Sequence, residues 1–151
     1  MRLPTLLLVV IALGPAGCDP EPPAQPWLRV DDVTPAFLAE RGALHVALAA
    51  DANGRAALTF VTRDAQGLSL WLSLSSDSGR TFGTPRRMNE GGPRVTSFAE
   101  GRPIATFGPG GRLAVAWSQR EPHQDMAANL MVRASGDGGA TFGPPVRVND
   151  D

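Results

Sequence analysis

The chain has 151 residues, a formal net charge of −1 and a single cysteine, so no disulfide can form within it. All fourteen basic residues are arginine, and fifteen acidic residues balance them. No basic patch with interleaved aromatic residues occurs along the chain. This composition gives no electrostatic basis for binding nucleic acid, and we expect no such partner.

The first seventeen residues have the pattern of an export signal. Arg2 precedes an apolar run over residues 6–13, and small residues follow it. A run of eight residues is far shorter than the roughly 20 that a membrane-spanning helix needs. We therefore predict a signal peptide over residues 1–17 and export of the remaining chain.

The junction Ala16-Gly17-Cys18 resembles the lipobox of bacterial lipoproteins, in which the cysteine is acylated and becomes the mature N-terminus. Pro15 departs from the lipobox, which usually has an aliphatic residue at that position. The resemblance implies a lipidated Cys18 and a stable attachment to a membrane of the bacterial cell envelope. Cleavage after Ala16, which would leave a soluble secreted or periplasmic protein, is the alternative.

Two connecting segments follow the signal peptide. Residues 18–26 contain four prolines, so we predict an extended spacer that holds the rest of the chain away from the membrane. Residues 27–43 form a lead-in segment, for which we predict a lead-in strand and a short helix around residues 35–40.

A repeat occupies the rest of the chain. Residues 75–89 and 135–149 share nine of fifteen residues without a gap, and residues 54–60 align with residues 111–117 at an offset of 57. Apolar residues alternate with polar or small ones in both copies, as expected for strands. We predict strands at residues 44–50, 55–63, 68–75 and 84–89 in the first copy and at 103–107, 112–119, 128–135 and 144–149 in the second, which makes two four-stranded antiparallel meanders.

The turn between the third and fourth strands is the part that repeats most closely, as SSDSGRTFG and SGDGGATFG. Asp77 and Asp137 can accept hydrogen bonds from backbone N–H groups about two residues further on. The paired positions around them supply a positive φ, a hydroxyl and an aromatic ring that can cover the turn. These are Gly79 and Gly139, Thr81 and Thr141, and Phe82 and Phe142.

Ser-x-Asp-x-Gly-x-Thr-Phe, which begins at Ser75 and again at Ser135, resembles the Asp-box, or bacterial neuraminidase repeat, of sialidase-like β-propellers. The resemblance covers residues 44–149 and implies an all-β fold with one propeller blade over residues 44–89 and a second over 90–151. In that family the Asp-box is structural and lies away from the active centre, so the resemblance implies no catalytic role for either aspartate.

Two blades are fewer than the four to eight of closed propellers. We therefore expect the chain to be the N-terminal part of a propeller, most simply one of six blades; copies that associate through open blade faces are the alternative. On either view we expect apolar residues such as Leu70, Leu72, Val115 and Trp117 to be at risk of exposure.

The resemblance to sialidases implies an active site of that family, which is built from three arginines, a tyrosine nucleophile with a glutamate, and an aspartic acid. The 151 residues contain no tyrosine. Arg102-Pro103-Ile104 resembles the family's Arg-Ile-Pro motif with the order altered. We therefore expect no sialidase activity from the chain as written and no catalytic residue in it.

Other chemical signals are weak. His45 and His123 have no partners at metal-ligand spacing, and the pairs Asp31-Asp32 and Asp150-Asp151 point to opposite sides of an extended chain. We expect no metal site and no cofactor. The segment GPGG at 108–111 is interpreted as a hairpin turn, and Trp71 and Trp117 either pack between blades or stack on a sugar ring.

Two functional hypotheses remain. The first is an envelope-anchored, non-catalytic binding or scaffold module, with a carbohydrate or a protein as its ligand. The alternative is the N-terminal part of an exported exo-sialidase-like glycoside hydrolase.

Overall fold

Alternating apolar residues and closely spaced turn residues produce short antiparallel strands with one helix before them. The computed structural model describes residues 32–89, 95–120 and 128–149. In chain order its elements are α1 (Ala36–Glu40), β1 (Leu44–Ala50), β2 (Ala56–Asp64), β3 (Gly67–Ser75), β4 (Arg86–Arg87), β5 (Val95–Thr96), β6 (Ile104–Phe107), a 3₁₀ turn (Pro109–Gly111), β7 (Leu113–Arg120), β8 (Ala128–Ser135) and β9 (Val146–Arg147).

The first sheet is an antiparallel meander in the order β1-β2-β3-β4, as predicted. Strands β2 and β3 pair along their whole length, from Ala56 opposite Ser75 to Asp64 opposite Gly67. Asp64 closes their hairpin, because its Oδ1 accepts a hydrogen bond of 2.8 Å from the Gln66 N–H. The register shifts within β1 between Leu44 and Ala47, which indicates a β-bulge.

The second sheet has five strands rather than the predicted four. Its order is β5-β7-β8-β9, and β6 also pairs with β7. Strands β5 and β6 lie along the same edge of β7, with Thr96 opposite Ser118 and Ile104 opposite Ala116. They act as one strand interrupted by residues 97–103. Strand β5 was not predicted because two residues carry no recognisable alternation.

The outer strands β4 and β9 are two residues long, whereas six residues were predicted for each. Backbone pairing nevertheless continues past both, because the Met88 N–H donates to the Leu70 carbonyl and the Val148 N–H donates to the Leu130 carbonyl, each at 2.9 Å.

The short helix predicted around residues 35–40 is confirmed as α1. The GPGG segment is confirmed as the connection of the β6–β7 hairpin, with Gly110 and Gly111 at positive φ.

The two sheets pack face to face around a common apolar core. Leu70 and Leu72 of the first sheet and Val115 and Trp117 of the second belong to it, and each is 2% exposed or less. The expectation that these four side chains would be at risk of exposure was wrong. It failed because the two copies of the repeat cover one face of each other.

On the side of the first sheet that faces away from the second, α1 and the residue after it cover the part around Phe60 and Trp71. The Phe37 ring stacks on the Phe60 ring with the centroids 5.7 Å apart. The Arg41 guanidinium lies over the Trp71 ring at 4.7 Å from its centroid. Phe60 is fully buried as a result.

Several sequence-based predictions fall outside the described residues, namely the signal peptide, Cys18 and the proline-rich spacer. Asp31, His123 and the pair Asp150-Asp151 also lie there. Within the residues that the structure describes, no helix has the length and apolar character needed to cross a membrane.

Candidate functional site

The first repeated turn, residues 75–82, is held by two side chains that bond to its backbone and to each other. The Ser75 hydroxyl donates to Asp77 Oδ1 at 2.7 Å and accepts from the Gly79 N–H at 3.0 Å. Asp77 Oδ1 also accepts from the Thr81 N–H at 2.9 Å, and its Oδ2 accepts from the Thr81 hydroxyl at 2.6 Å. The aspartate thus bonds four residues ahead, where about two had been predicted.

The second repeated turn, residues 135–142, has the same bonds. Ser135 donates to Asp137 Oδ1 at 2.7 Å and accepts from the Gly139 N–H at 2.7 Å. Asp137 accepts from the Thr141 N–H at 2.9 Å and from its hydroxyl at 2.6 Å. Because every oxygen of the two carboxylates accepts such a bond, both side chains serve the fold of their own turns.

Positive φ angles follow the aspartate in both turns. Gly79 has φ 80° and Gly139 has φ 96°, as predicted. The preceding residue is also left-handed, at φ 63° for Ser78 and φ 76° for Gly138. Glycine adopts this region without steric cost, which explains why three of these four positions are glycine.

The same hydrogen bonds lower the pKa of both aspartates. For Asp77 the Thr81 hydroxyl is the main cause, followed by the Ser75 hydroxyl and the Thr81 N–H, and together they hold its pKa far below the ordinary range. For Asp137 the Thr141 hydroxyl comes first, followed by the Thr141 N–H and the Ser135 hydroxyl. Both groups are therefore carboxylates near neutral pH, and neither is suited to donate a proton in catalysis.

Acid should therefore destabilise the protein through these two turns. A carboxylate whose pKa is lower in the folded chain stabilises the fold above its unfolded pKa of about 3.9, and that contribution is lost as the pH falls through the folded value. We expect the thermal unfolding midpoint to fall steeply below about pH 4. In the double variant Asp77→Asn, Asp137→Asn, the midpoint should be lower at neutral pH and should change less between pH 4 and pH 2.

Glu100→Gln, which removes a carboxylate outside both turns, is the matched control and should keep the slope of the parent. If the double variant also keeps that slope, the acid sensitivity arises elsewhere and the assignment is wrong.

The second turn also holds the two sheets together. Arg86 of β4 reaches across the interface, where Nη1 donates to the Ala140 carbonyl at 2.9 Å and Nη2 donates to the Gly139 carbonyl. Its guanidinium lies over the Phe142 ring at 5.0 Å from the centroid. Phe142 in turn packs against the core.

A second arginine crosses the interface from the other sheet. Arg133 of β8 is 9% exposed. Its Nε donates to the Gly143 carbonyl at 2.8 Å, and its Nη1 donates to the Met88 carbonyl of the first sheet at 3.1 Å. Ser73 occupies the matching position in the first copy and bonds to the matching carbonyl, that of Gly83.

The last shared residue of the repeat extends the outer strands. Asn89 Oδ1 accepts from the Leu70 N–H, and Asn149 Oδ1 accepts from the Leu130 N–H, both at 2.8 Å. Sequence reasoning counted the asparagines as identities but assigned them no role. Their equal spacing from Leu70 and Leu130, nineteen residues in each copy, was the available signal.

A shallow cleft of about 260 Å³ opens beside the second turn, lined by Arg55, Leu74, Ser76, Phe107 and others. The Arg55 guanidinium lies over the Phe107 ring at 4.7 Å and pairs with Asp51, with Nη2 and Oδ2 2.6 Å apart. The cleft is small, and its one cation already has a carboxylate partner. It is therefore part of the packing between the sheets.

A polar cluster lies at the end of the sheets opposite to the turns. His45, in the bulge of β1, has φ 50°, and its Nδ1 is 2.8 Å from the Ser97 hydroxyl. Arg102 donates from Nε to the Ala99 carbonyl at 3.0 Å and from Nη1 to the Val46 carbonyl at 3.2 Å. These contacts tie the segment between β5 and β6 to β1.

The remaining sequence candidates take structural places. Trp117 is 2% exposed in the core, so it presents no face to a sugar, and the Arg41 guanidinium already lies over one face of the Trp71 ring. Asp32 accepts hydrogen bonds from the N–H and the hydroxyl of Thr34. Within the described part of the chain, no three metal-ligating side chains form a group that could hold a metal ion.

Comparison of the sequence with protein families and with curated proteins adds no relative from which a role could be transferred. The chain matches no protein-family model, and no curated protein is significantly similar to it in sequence.

Proposed function

We propose that the chain is an exported lipoprotein, anchored to a membrane of the bacterial cell envelope through Cys18, and that its two sheets are blades of a sialidase-like β-propeller. The blades serve as a non-catalytic binding or scaffold module that the spacer of residues 18–26 holds away from the membrane.

The observation that carries this proposal is how the repeated residues are used. In both turns the serine, aspartate and threonine bond to one another and to nearby backbone groups. A residue set that recurs to shape a turn twice is typical of a repeat architecture, in which each unit needs its neighbours to cover its apolar faces. The common core of the two sheets fits that requirement.

The lipid anchor is tested by metabolic labelling. Cells that express the full chain should incorporate labelled palmitate into it, whereas Cys18→Ser should remain unlabelled and leave the membrane fraction, because the thiol is the acylation site. The Pro15→Leu variant, which restores the usual lipobox residue, should label at least as strongly as the parent. Equal labelling of the parent and Cys18→Ser would refute the anchor.

The alternative function, a sialidase-like glycoside hydrolase, has less support. Arg102 uses two of its three guanidinium nitrogens on backbone carbonyls, and the chain lacks the tyrosine of that family. We expect the purified full chain to release no fluorophore from a fluorogenic sialoside above the rate of buffer alone. Turnover that saturates with substrate and is lost in Arg102→Ala would replace the scaffold proposal with the hydrolase.

A further inference from the structure

The outward side of the second sheet exposes apolar side chains where the first sheet has buried ones. Ile104, Leu130, Val146 and Val148 are between 44% and 56% exposed. The pairing register places Ile104, Ala116, Val132 and Val146 in one row across β6 to β9. We call these residues, with Leu130 and Val148, the open face.

The repeat shows what this surface becomes when it is covered. In the first sheet Thr59, Leu72 and Arg86 form the matching row. That row faces the second sheet, and Leu72 is 1% exposed there. The open face therefore occupies the same position in the second sheet as the face of the first sheet that is buried between the two sheets.

The open face lacks the polar groups that fix the neighbour in the buried copy. Thr59 donates to the Pro103 carbonyl at 2.8 Å, and Arg86 donates to carbonyls of the second turn. On the open face, the positions that match Thr59 and Arg86 are occupied by Ala116 and Val146. Only apolar packing remains, which is not directional.

We propose that the open face is a self-association surface, on which two copies of this chain pack their open faces together about a two-fold axis. None of its six residues is charged, so a face that meets its own copy brings no like charges together. Arg120, on the same side at the end of β7, lies at the rim. Two sheets of the same twist pack well face to face, and a two-fold contact closes on itself.

Within the described residues, the first sheet offers a second copy no free face of the matching kind. The outward side of the first sheet is the counterpart of the side of the second sheet that packs in the core. Phe60, at its centre, is fully buried beneath Phe37 of α1. Packing the open face on the first sheet of the next copy would therefore require α1 to leave.

The expected dimer is weak. The open face spans four strands, β6 to β9. With about 4.8 Å between strands and a rise of about 3.3 Å per residue along each strand, its area is roughly 300 Å². Stable complexes bury about 800 Å² on each partner. We therefore expect a dimer that dissociates readily on dilution. The inference does not depend on the lipid anchor.

Sedimentation equilibrium of the full chain carrying Cys18→Ser tests the proposal. The parent should fit a monomer–dimer equilibrium, and Val146→Arg should raise the dimer Kd at least about tenfold because it places an unpaired charge in the contact. Leu48→Arg, at a side chain that is 64% exposed on the first sheet, is the matched control and should leave the Kd unchanged. Circular dichroism checks that each variant is folded.

A charge pair tests the two-fold geometry. Val132 lies in the middle of the row, so it should meet residues close to its own position in the second copy. Val132→Asp and Val132→Lys should each be monomeric, and an equal mixture should dimerise again. A monomeric parent, a Val146→Arg variant that associates like the parent, a mixture that stays monomeric, or assemblies larger than a dimer would each overturn the proposal.

Discussion

Replacing Gly139 with alanine should lower the free energy of unfolding by about 2–5 kcal/mol. Gly139 has φ 96°. A side chain in the left-handed region costs roughly 1–2 kcal/mol. An added Cβ would also lie 2.5 Å from Leu74 Cδ1 and 3.0 Å from Leu113 Cδ2, and overpacking of this kind typically adds about 1–3 kcal/mol. Urea denaturation followed by tryptophan fluorescence measures the loss.

The first turn provides the control. Gly79 has φ 80°, but an added Cβ there would come no closer than 3.9 Å to any neighbouring atom, the nearest being Cζ of Phe82. Gly79→Ala should therefore cost only the backbone strain, about 1–2 kcal/mol. Equal losses in the two variants would show that the second turn is not wedged between the sheets.

Most strands were predictable because their signals are local. Leu68, Leu70, Leu72 and Leu74 alternate with other residues, and the predicted bounds of β1 and β8 agree with the structure. A period of two and a turn signal at each end suffice to define such a strand. The pairing of neighbouring strands then follows from their short connections.

The repeated turns were predictable in kind but not in detail. Comparison of the copies identified the aspartate, glycine and threonine, but not the part played by Ser75, whose hydroxyl joins Asp77 to the Gly79 N–H. A serine at the end of a strand has several local bonding choices that sequence does not distinguish. Repetition indicated that it mattered without indicating how.

Contacts between distant residues could not be predicted. Arg86 bonds to residues 53 and 54 positions further on, and His45 contacts Ser97 across 52 positions. Arginine side chains are long and have many rotamers, so their partners depend on how the sheets pack. The same packing decides which apolar face is covered, which is why Leu70 and Trp117 were assigned to the wrong environment.

Arg133→Ala should destabilise the protein by about 2–4 kcal/mol, because hydrogen bonds from a charged donor contribute about 1.5–3 kcal/mol and buried acceptors left without a donor are costly. Arg133 is 9% exposed and donates to the Gly143 and Met88 carbonyls, one in each half of the structure. Arg133→Met keeps most of the side-chain volume. It should recover the packing part of the loss but not the hydrogen-bonding part.

Ser73→Ala is the matched control, because Ser73 bonds only within its own copy of the repeat, to the Gly83 carbonyl. One neutral hydrogen bond contributes about 0.5–1.5 kcal/mol, so this loss should be smaller. Arg133→Ala should also loosen the contact between the sheets and admit water to Trp117. The tryptophan fluorescence of this variant should therefore shift to longer wavelength before global unfolding. If Arg133→Ala costs no more than Ser73→Ala and leaves the fluorescence unchanged, apolar packing alone holds the two sheets together.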